Sequence, residues 1–346
     1  MACFKQPATF SSCMVGIFFL TSTLLDTVLY IFSGLLLIAI VLPLIRSDFW
    51  VFRIFEFPRY QKWWITGILM VATIVYLFYT NDVWMTRVFA CQMAIFVYLS
   101  YQIFPFTPFA PRHLKGNKDP EKPNIRFVVS NVYQYNRKHH KLIGEVTRFD
   151  SDVMVFVETD DWWKDRLKEA LDEKFPNQIL CPIENTYGML LFTKLPIKSH
   201  ELRYLIKDGI PSIKCVLEHE CCDITFYAVH PEPPVPNENP RSTARDKELA
   251  KVAEEVRELD CPVVVAGDLN DVAWSYTTEN FVDQSGLFDP RRGRGMYSTF
   301  HANYPLLRWP LDHVFCSSHF QLNRMRTLRN SGSDHLPIYV DLAVES

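Results

Sequence analysis

Three long apolar runs dominate the first third of the chain. They extend from Val28 to Ile45, from Trp63 to Tyr79 and from Val88 to Phe106. Each run approaches the roughly 20 residues that a helix needs to cross a bilayer. Trp and Tyr residues lie near their ends, as they do at membrane interfaces. The pattern predicts about three transmembrane helices within residues 1–106.

A further apolar stretch, Met14 to Leu25, precedes the first of these runs. The two together are too long for one straight span and too short for two. A cleaved signal peptide has only weak support, because Lys5 is the one basic residue ahead of the stretch and no clear cleavage site follows. The sequence leaves open whether residues 14–27 belong to a span or to a signal.

A different periodicity begins after a proline-rich linker at residues 107–122, and it continues through residues 123–346. Short apolar runs alternate there with amphipathic segments, which predicts a domain of strands and helices. The predicted strands are Ile125–Ser130, Asp152–Val157, Gly188–Phe192, Ile213–Leu217, Ile224–Val229, Val263–Ala266, Leu311–Phe315 and Ile338–Leu342, and the predicted helices are Lys141–Phe149, Trp162–Lys174 and Ala244–Leu259. This order alone favours an α/β or α+β fold.

The most informative stretch is Cys261–Asp271, in which a continuously apolar run, Val263 to Ala266, stops at Gly-Asp-Leu-Asn-Asp. A strand buried on both faces holds the polar groups at its end rigidly, which suits chemistry. The same five residues also have the composition of an Asx-type turn. The motif alone does not decide between the two interpretations.

Similar polar residues follow or begin other predicted strands, and they favour the interpretation as a functional site over that of a simple turn. The full set is Asn131, Glu158, His230, Asp268, Asn270, Asp312, Asp334 and His335. Carboxylates and amides without cysteine suit a hard cation such as Mg²⁺ or Mn²⁺. Histidines beside carboxylates suit the activation of water. Hydrolysis of a phosphoester needs both the neutralisation of phosphoryl charge and an oriented nucleophile.

Charge and cysteine content narrow the possibilities further. Residues 120–346 carry 27 basic and 34 acidic side chains, a net charge of −7, which disfavours unselective binding of nucleic acid. None of the nine cysteines forms a Cys-x-x-Cys pair. We therefore expect buried free thiols and no zinc site.

The basic residues that flank the spans predict the orientation in the membrane. One side would carry Arg46, Arg53, Arg59, Lys62, Arg112, Lys115, Lys118 and Lys122, and the other side only Lys5 and Arg87. Positively charged flanks remain in the cytoplasm, so three spans predict a cytoplasmic domain at residues 123–346. A different number of spans would reverse this prediction.

The order of these motifs resembles the endonuclease/exonuclease/phosphatase superfamily, the DNase I-like proteins. The resemblance covers about residues 123–343 and is carried above all by Gly-Asp-Leu-Asn-Asp and by Ser-Asp-His-Leu-Pro, residues 333–337. The preceding spans, with Phe57-Pro-Arg-Tyr-Gln61 between the first two, resemble the bacterial membrane-anchored subgroup. The implied fold is α+β, a four-layer α/β/β/α sandwich preceded by the transmembrane helices.

The resemblance also implies roles for the residues in these motifs. Glu158 is expected to bind the metal with help from Asn131, and Asp334 to lie close to it. Asp268 is expected to orient or deprotonate the attacking water, and Asn270 to hold the scissile phosphate. His335, oriented by Asp312, is expected beside the phosphate, and His230 is expected to contact a phosphate oxygen or assist the leaving group. His313 stands where the family often has Tyr, which puts the local packing in question.

The sequence leaves the substrate open among several phosphoesters. We expect a membrane-anchored, metal-dependent phosphoester hydrolase in the bacterial inner or plasma membrane, acting on a lipid head group, a nucleic acid or a small phosphodiester. No protein partner is evident. A nuclease would use Trp274, Arg291, Arg292 and Arg294 to hold a nucleic acid backbone. An outward-facing domain would instead suit a polyprenyl pyrophosphate, and a non-catalytic scaffold is disfavoured because the set of polar residues is intact.

Overall fold

The computed structural model describes residues 9–345, with side chains from Leu24 onward. The chain forms two compact units. One holds the chain up to Arg46 together with Arg59–Ile103. The other holds Ser47–Pro58 together with the chain from Phe104 onward. The segment Ser47–Pro58 therefore belongs to the second unit, although it lies between two apolar helices in the sequence.

The first unit consists of three helices, α1 (Thr9–Val41), α3 (Arg59–Tyr79) and α4 (Val83–Ile103). Within the described part of the chain, three segments are long and apolar enough to cross a membrane: Leu24–Leu44, Arg59–Tyr79 and Val83–Phe106. They coincide with the predicted spans to within about five residues. The ambiguous stretch at residues 14–25 lies inside α1, which continues without a break into the first span; most of its side chains lie outside the described part of the chain.

Polar side chains inside this unit bond to neighbouring helices. The Lys62 amine donates to the carbonyl of Ala39 at 3.0 Å, and Gln92 donates to the Ser33 hydroxyl at 2.8 Å. Such bonds satisfy groups that apolar surroundings leave without water. They also tie α3 and α4 to α1.

The second unit contains eleven strands in two sheets. The strands are β1 (Asn124–Asn131), β2 (Val153–Val157), β3 (Asn177–Cys181), β4 (Met189–Thr193), β5 (Ile197–Arg203), β6 (Ser212–Glu218), β7 (Asp223–Val229), β8 (Val263–Asp268), β9 (Asp312–Cys316), β10 (Phe320–Thr327) and β11 (Ile338–Val344). One sheet has the order β10-β11-β1-β2-β4-β3 and the other the order β5-β6-β7-β8-β9. Both sheets mix parallel and antiparallel pairs, as predicted for an α+β fold.

Helices cover the outer face of each sheet. They are α5 (His139–Val146), α6 (Asp161–Leu171), α7 (Thr243–Arg257) and α8 (Tyr276–Ser285), and the segment Ser47–Pro58 adds the short α2 (Trp50–Ile54). The central core lies between the sheets, where Phe127 of β1 packs edge-on against Phe226 of β7. Separate clusters join α5 and α6 to the first sheet and α7 and α8 to the second. This arrangement confirms the four-layer α/β/β/α sandwich.

Strand direction brings the polar strand ends of each sheet together. β1 runs parallel to β2, and β7 runs parallel to β8, so the carboxyl ends of each pair lie at the same edge. Antiparallel pairing places Asp312, the first residue of β9, directly opposite Asp268, the last residue of β8. The same pairing sets Ile338 of β11 against Val129 near the end of β1.

Candidate active site

The end of β8 requires a glycine. A Cβ on Gly267 would lie 1.8 Å from the carbonyl oxygen of Val229 on the neighbouring strand, and its φ of +154° lies where side chains are rarely tolerated. The next residue, Asp268, is fully buried, and its Oδ1 accepts the backbone N–H of Asn270 at 2.9 Å. Asn270 itself has a φ of +51°. The motif therefore forms an Asx-type turn and also holds the Asp268 side chain in place at the end of β8. The two interpretations left open by the sequence, a turn and a functional site, are compatible.

Asp268, His335 and Asp312 form a buried chain of contacts. His335 Nδ1 lies 2.7 Å from Asp312 Oδ2, and His335 Nε2 lies 3.5 Å from Asp268 Oδ2. All three side chains are at most 5% exposed. A hydroxyl on Ser333 accepts the backbone N–H of His335 at 3.0 Å, which fixes the start of the loop that carries the imidazole. The sequence placed these residues in three separate motifs, and the fold brings them into contact.

The charges in this chain stabilise one another. Burial disfavours the imidazolium of His335, but Asp312 and Asp268 outweigh it and raise the pKa of His335 to about 10. Burial likewise disfavours the carboxylate of Asp268, but His335 and His230 hold the pKa of Asp268 below its ordinary value. The geometry therefore favours a charged imidazole beside an ionised Asp268 at neutral pH.

Asn131 connects this chain to Glu158. Its Nδ2 donates to Glu158 Oε1 at 2.7 Å and to Asp268 Oδ2 at 3.0 Å, while its Oδ1 accepts the backbone N–H of Tyr133. Glu158, at the end of β2, is partly buried and adopts a φ of +59°. Burial raises the pKa of Glu158, against the opposing effect of His230. A nearby positive charge would restore its ionised form.

The residues at this edge fit a hard divalent cation. Several of them are carboxylates, and carboxylate oxygens are ligands that Mg²⁺ and Mn²⁺ accept. Asp268, Asp312 and His335 offer donor atoms that lie within 4.8 Å of one another. Asp334 is partly buried, and its Oδ1 accepts from the Ser333 hydroxyl at 3.3 Å. Asp334 is not a member of that group of three.

His230 follows β7 and packs beside the end of β8. Its Nδ1 lies 3.1 Å from the carbonyl oxygen of Asp268, and its ring lies 5.6 Å from that of Tyr187. A carbonyl oxygen can only accept a hydrogen bond, so Nδ1 carries the proton in this contact. Nε2 is then the ring nitrogen that remains available for another contact. Asn270 donates its Nδ2 to the carbonyl of Pro231 at 2.9 Å, which joins the same two strand ends.

Two of the neighbouring polar residues are structural. Asp271, the last residue of the β8 motif, pairs with the fully buried Arg245 at 2.8 Å. His313 is also fully buried; its Nε2 donates to the carbonyl of Asp271 at 2.8 Å, and its Nδ1 accepts from Arg291 at 2.6 Å. Burial, together with the charge of Arg291, lowers the pKa of His313 to about 3. The departure from Tyr at this position is thus accommodated by a neutral histidine.

The residues that a nuclease would use to hold a nucleic acid backbone make contacts within the protein, and the structure contradicts that role for Arg291 and Trp274, which are buried. Arg291 is buried and pairs with Asp289 at 2.9 Å. Arg292 pairs with Glu279 at 2.5 Å, and Arg294 donates to the carbonyls of Pro290 and Leu114. Trp274 is only 3% exposed, so it presents no face on which a base stacks. A charge pattern in the sequence does not distinguish solvated arginines from arginines that neutralise buried carboxylates.

Comparison with known proteins identifies the family of this site. Residues 124–335, more than half of the chain, match the model of the Endonuclease/Exonuclease/phosphatase family. The chain belongs to this family. Its members hydrolyse phosphoester bonds, so the chain is a phosphoester hydrolase. No curated protein sequence matches the chain significantly.

Solved structures with the endonuclease/exonuclease/phosphatase fold are similar to this chain. D. rerio TDP2, determined in complex with a single-strand DNA product, is 16% identical, with 63% of this chain and 98% of that chain covered and a TM-score of 0.53. A family protein from Bacteroides thetaiotaomicron is 17% identical over 64% and 95% of the two chains, also with a TM-score of 0.53. One from Leptotrichia buccalis is 18% identical over 63% and 99%, with a TM-score of 0.50. At such identities the likeness establishes the fold.

The sequence did not predict that the segment Ser47–Pro58, which lies outside the matched residues 124–335, is part of the second unit. Asp48 accepts from Arg241 at 2.6 Å, and the carbonyl of Glu56 accepts the indole N–H of Trp274 at 2.9 Å. The ring of Phe57 packs edge-on against that of Trp309, with centroids 5.9 Å apart. Only the motif beginning at Phe57 had pointed to this segment. The structure makes it a part of the hydrolase unit.

Proposed function

We propose that the chain is a membrane-anchored, divalent-metal-dependent phosphoester hydrolase in which Asp268 activates water. The observation that carries the proposal is the continuous set of contacts from Glu158 through Asn131 and Asp268 to His335 and Asp312. Each member is the type of group that phosphoryl transfer requires. All of them lie at or beside the end of a strand except His335, which lies in the loop before β11.

Glu158 is the metal ligand in this proposal, with Asp334 close to the ion. Asn131 donates to Glu158, so in this arrangement it positions the ligand. His335 and Asp312 are less suited to share an ion, because their 2.7 Å contact is a direct hydrogen bond. When bound, Mg²⁺ or Mn²⁺ would neutralise charge on the phosphoryl oxygens.

The side chains of the chain itself then carry the displacement. Asp268 accepts a proton from water as the water oxygen forms its bond to phosphorus, and the bond from phosphorus to the leaving oxygen breaks. The imidazolium of His335, held by Asp312, donates a hydrogen bond to a phosphoryl oxygen, where negative charge accumulates. Asn270 holds the scissile phosphate, and His230 contacts a phosphate oxygen or supplies a proton to the leaving group.

The three apolar helices would anchor this hydrolase in a membrane. Eight basic residues flank the candidate spans on the side from which the hydrolase unit continues, against two on the other. We therefore propose a cytoplasmic catalytic unit. A polybasic rim of this kind is also drawn to anionic lipid, by about 1 kcal/mol for each residue near the surface.

The test uses the purified full-length chain in detergent and a panel of phosphate monoesters, phosphodiesters and oligonucleotides. We expect hydrolysis of at least one class, its loss on chelation with EDTA, and its recovery with Mg²⁺ or Mn²⁺. Glu158→Gln is expected to raise the Mg²⁺ concentration that gives half-maximal rate. Glu201→Gln, at an exposed position on β5, is the matched control. Activity that survives thorough chelation would exclude the proposed metal dependence.

A further inference from the structure

An apolar groove opens directly beside the catalytic residues. It has a volume of about 420 Å³, within the range of pockets that bind small molecules. Asn270 and His335 line one part of it. A phosphate held by these two residues would therefore have its substituent pointing along the groove or away from it.

The segment Ser47–Pro58 forms one wall of the groove. Trp50, Ile54 and Phe57 contribute apolar surface from this segment. The wall is fixed to the hydrolase fold, since the backbone N–H of Trp50 donates to the carbonyl of Pro240 at 2.8 Å, besides the contacts of Asp48, Glu56 and Phe57. The groove is therefore a permanent feature of the unit that carries the catalytic residues.

The rest of the lining is also mostly apolar. It includes residues 233–236, of which three are prolines, and the side chains of Phe300, Trp309 and Leu311. The remaining charged group in the lining, Arg53, lies 3.2 Å from Glu56 and 3.5 Å from Asp246, which compensate its charge. A sugar or an inositol ring would bury most of its hydroxyls against this apolar surface, where few groups can bond to them, and an unpaired buried hydroxyl is unfavourable.

We infer that this groove binds an aliphatic chain of the substrate, so that the hydrolase acts on a lipid phosphoester, with the phosphate at His335 and Asn270 and the hydrocarbon against the segment Ser47–Pro58. This inference rests on the proposed phosphoester hydrolysis. The segment begins three residues after Leu24–Leu44 and ends directly before Arg59–Tyr79, both long and apolar enough to span a bilayer. A substrate drawn from the bilayer is an amphiphile, and its apolar part needs a surface of this kind next to the reacting phosphate.

The experiment measures kcat/KM for two series of esters that differ only in an alkyl group: methyl, butyl and octyl phosphate, and the 4-nitrophenyl diesters of the same alkyl groups. Each buried methylene contributes roughly a fourfold preference. We expect the octyl ester to be preferred over the methyl ester by at least tenfold in the series that is hydrolysed, with most of the difference in KM.

Variants connect this preference to the groove. Ile54→Asn and, independently, Val235→Asn are each expected to lower the octyl-to-methyl ratio at least fivefold. Leu202→Asn, at an exposed leucine of β5 outside the groove, is expected to keep the wild-type ratio. Because this control experiences the same detergent micelles, it separates binding in the groove from partitioning into the micelle. Thermal midpoints of all variants confirm that they are folded.

The outcomes distinguish the two proposals. Equal rates for all alkyl groups, or a preference that both groove variants retain, would overturn the lipid inference and leave phosphoester hydrolysis standing. Hydrolysis of neither series nor of any other phosphoester would overturn the proposed function, and this inference with it.

Discussion

The substitution Asp312→Asn tests the role of the charge behind His335. Asp312 is fully buried, and its Oδ2 lies 2.7 Å from Nδ1 of the imidazole. Asparagine has nearly the same shape and retains an oxygen that accepts from Nδ1, so the ring keeps its place. The substitution removes the negative charge that most strongly favours the imidazolium.

The expected loss follows from the electrostatics of the site. His335 has a pKa of about 10 against an ordinary value of 6.5, and each unit corresponds to about 1.4 kcal/mol. The surrounding charges therefore favour the protonated ring by several kcal/mol, and Asp268 supplies the part that the variant retains. We expect kcat/KM at pH 7.5 to fall on the order of 10²- to 10³-fold, as when one preorganised donor to a developing charge is removed.

The pH dependence of kcat/KM shows in which direction the substitution shifts the pKa of His335. The wild-type imidazolium persists up to about pH 10, so activity should not decline through loss of its proton below about pH 9. In Asp312→Asn the pKa of His335 falls, and the alkaline decline should move towards neutral pH. The assay is kcat/KM from pH 6 to 10 at saturating Mg²⁺, with Asp223→Asn, at an exposed position of β7, as the matched control.

Two results would refute this reasoning. Wild-type activity with an unchanged alkaline limb would mean that the charge of Asp312 does not act on His335 during catalysis. A large increase in the Mg²⁺ requirement, with activity restored at high Mg²⁺, would mean that Asp312 is a metal ligand. That second result would assign the ion to Asp268, Asp312 and His335 in place of Glu158.

Three further predictions concern stability and orientation. Arg245→Met leaves Asp271 buried without its partner and should destabilise the protein by about 3–5 kcal/mol. The measurement is the thermal midpoint, which should fall strongly in this variant and stay unchanged in Arg257→Met, where the ion pair is exposed. Burial raises the pKa of Glu248 from 4.5 to about 7, so the protein should lose stability as pH rises from about 4.5 to 7, by up to roughly 3 kcal/mol. Glu248→Gln should abolish that loss, and Glu254→Gln should retain it. Identical profiles of stability against pH for the wild type and Glu248→Gln would contradict the assignment. Cys221 is exposed, and a cytoplasmic unit requires that an impermeant thiol reagent label it only after lysis of the cells, with Cys221→Ser as the control for other thiols.

Local patterns in the sequence predicted the buried strands well and the edge strands poorly. β2 and the first part of β8 are continuously apolar because both of their faces are covered. Such runs can be recognised from the sequence alone. β5 is mostly solvent-exposed and polar, and β10 contains an irregularity between Leu322 and Arg324, so neither shows a clean alternation. The predicted set missed these strands, together with β3 and α8.

The candidate site was predictable to the extent that its residues mark strand ends. Asn131, Asp268 and Asp312 each begin or end a strand. Pairing of β8 with β9 brings Asp268 and Asp312 together, and the packing of the two sheets brings Asn131 to Asp268. Arg245 gave no comparable signal, because its partner Asp271 lies 26 positions later and only the fold reveals a fully buried guanidinium. The segment Ser47–Pro58 was not predicted for the same reason, because its contacts join residues that are 193 and 218 positions apart in the sequence.

The most direct test of the central claim is kcat for Asp268→Asn, measured with the phosphoester that the wild-type protein hydrolyses best. Asp268 is buried at the end of β8, between Asn131 and His335. We predict a fall of at least about 10²-fold, as for the loss of a general base, in a protein that still shows a cooperative thermal transition and that added Mg²⁺ does not rescue. A folded Asp268→Asn protein with wild-type kcat would contradict the assignment of Asp268 as the group that activates water.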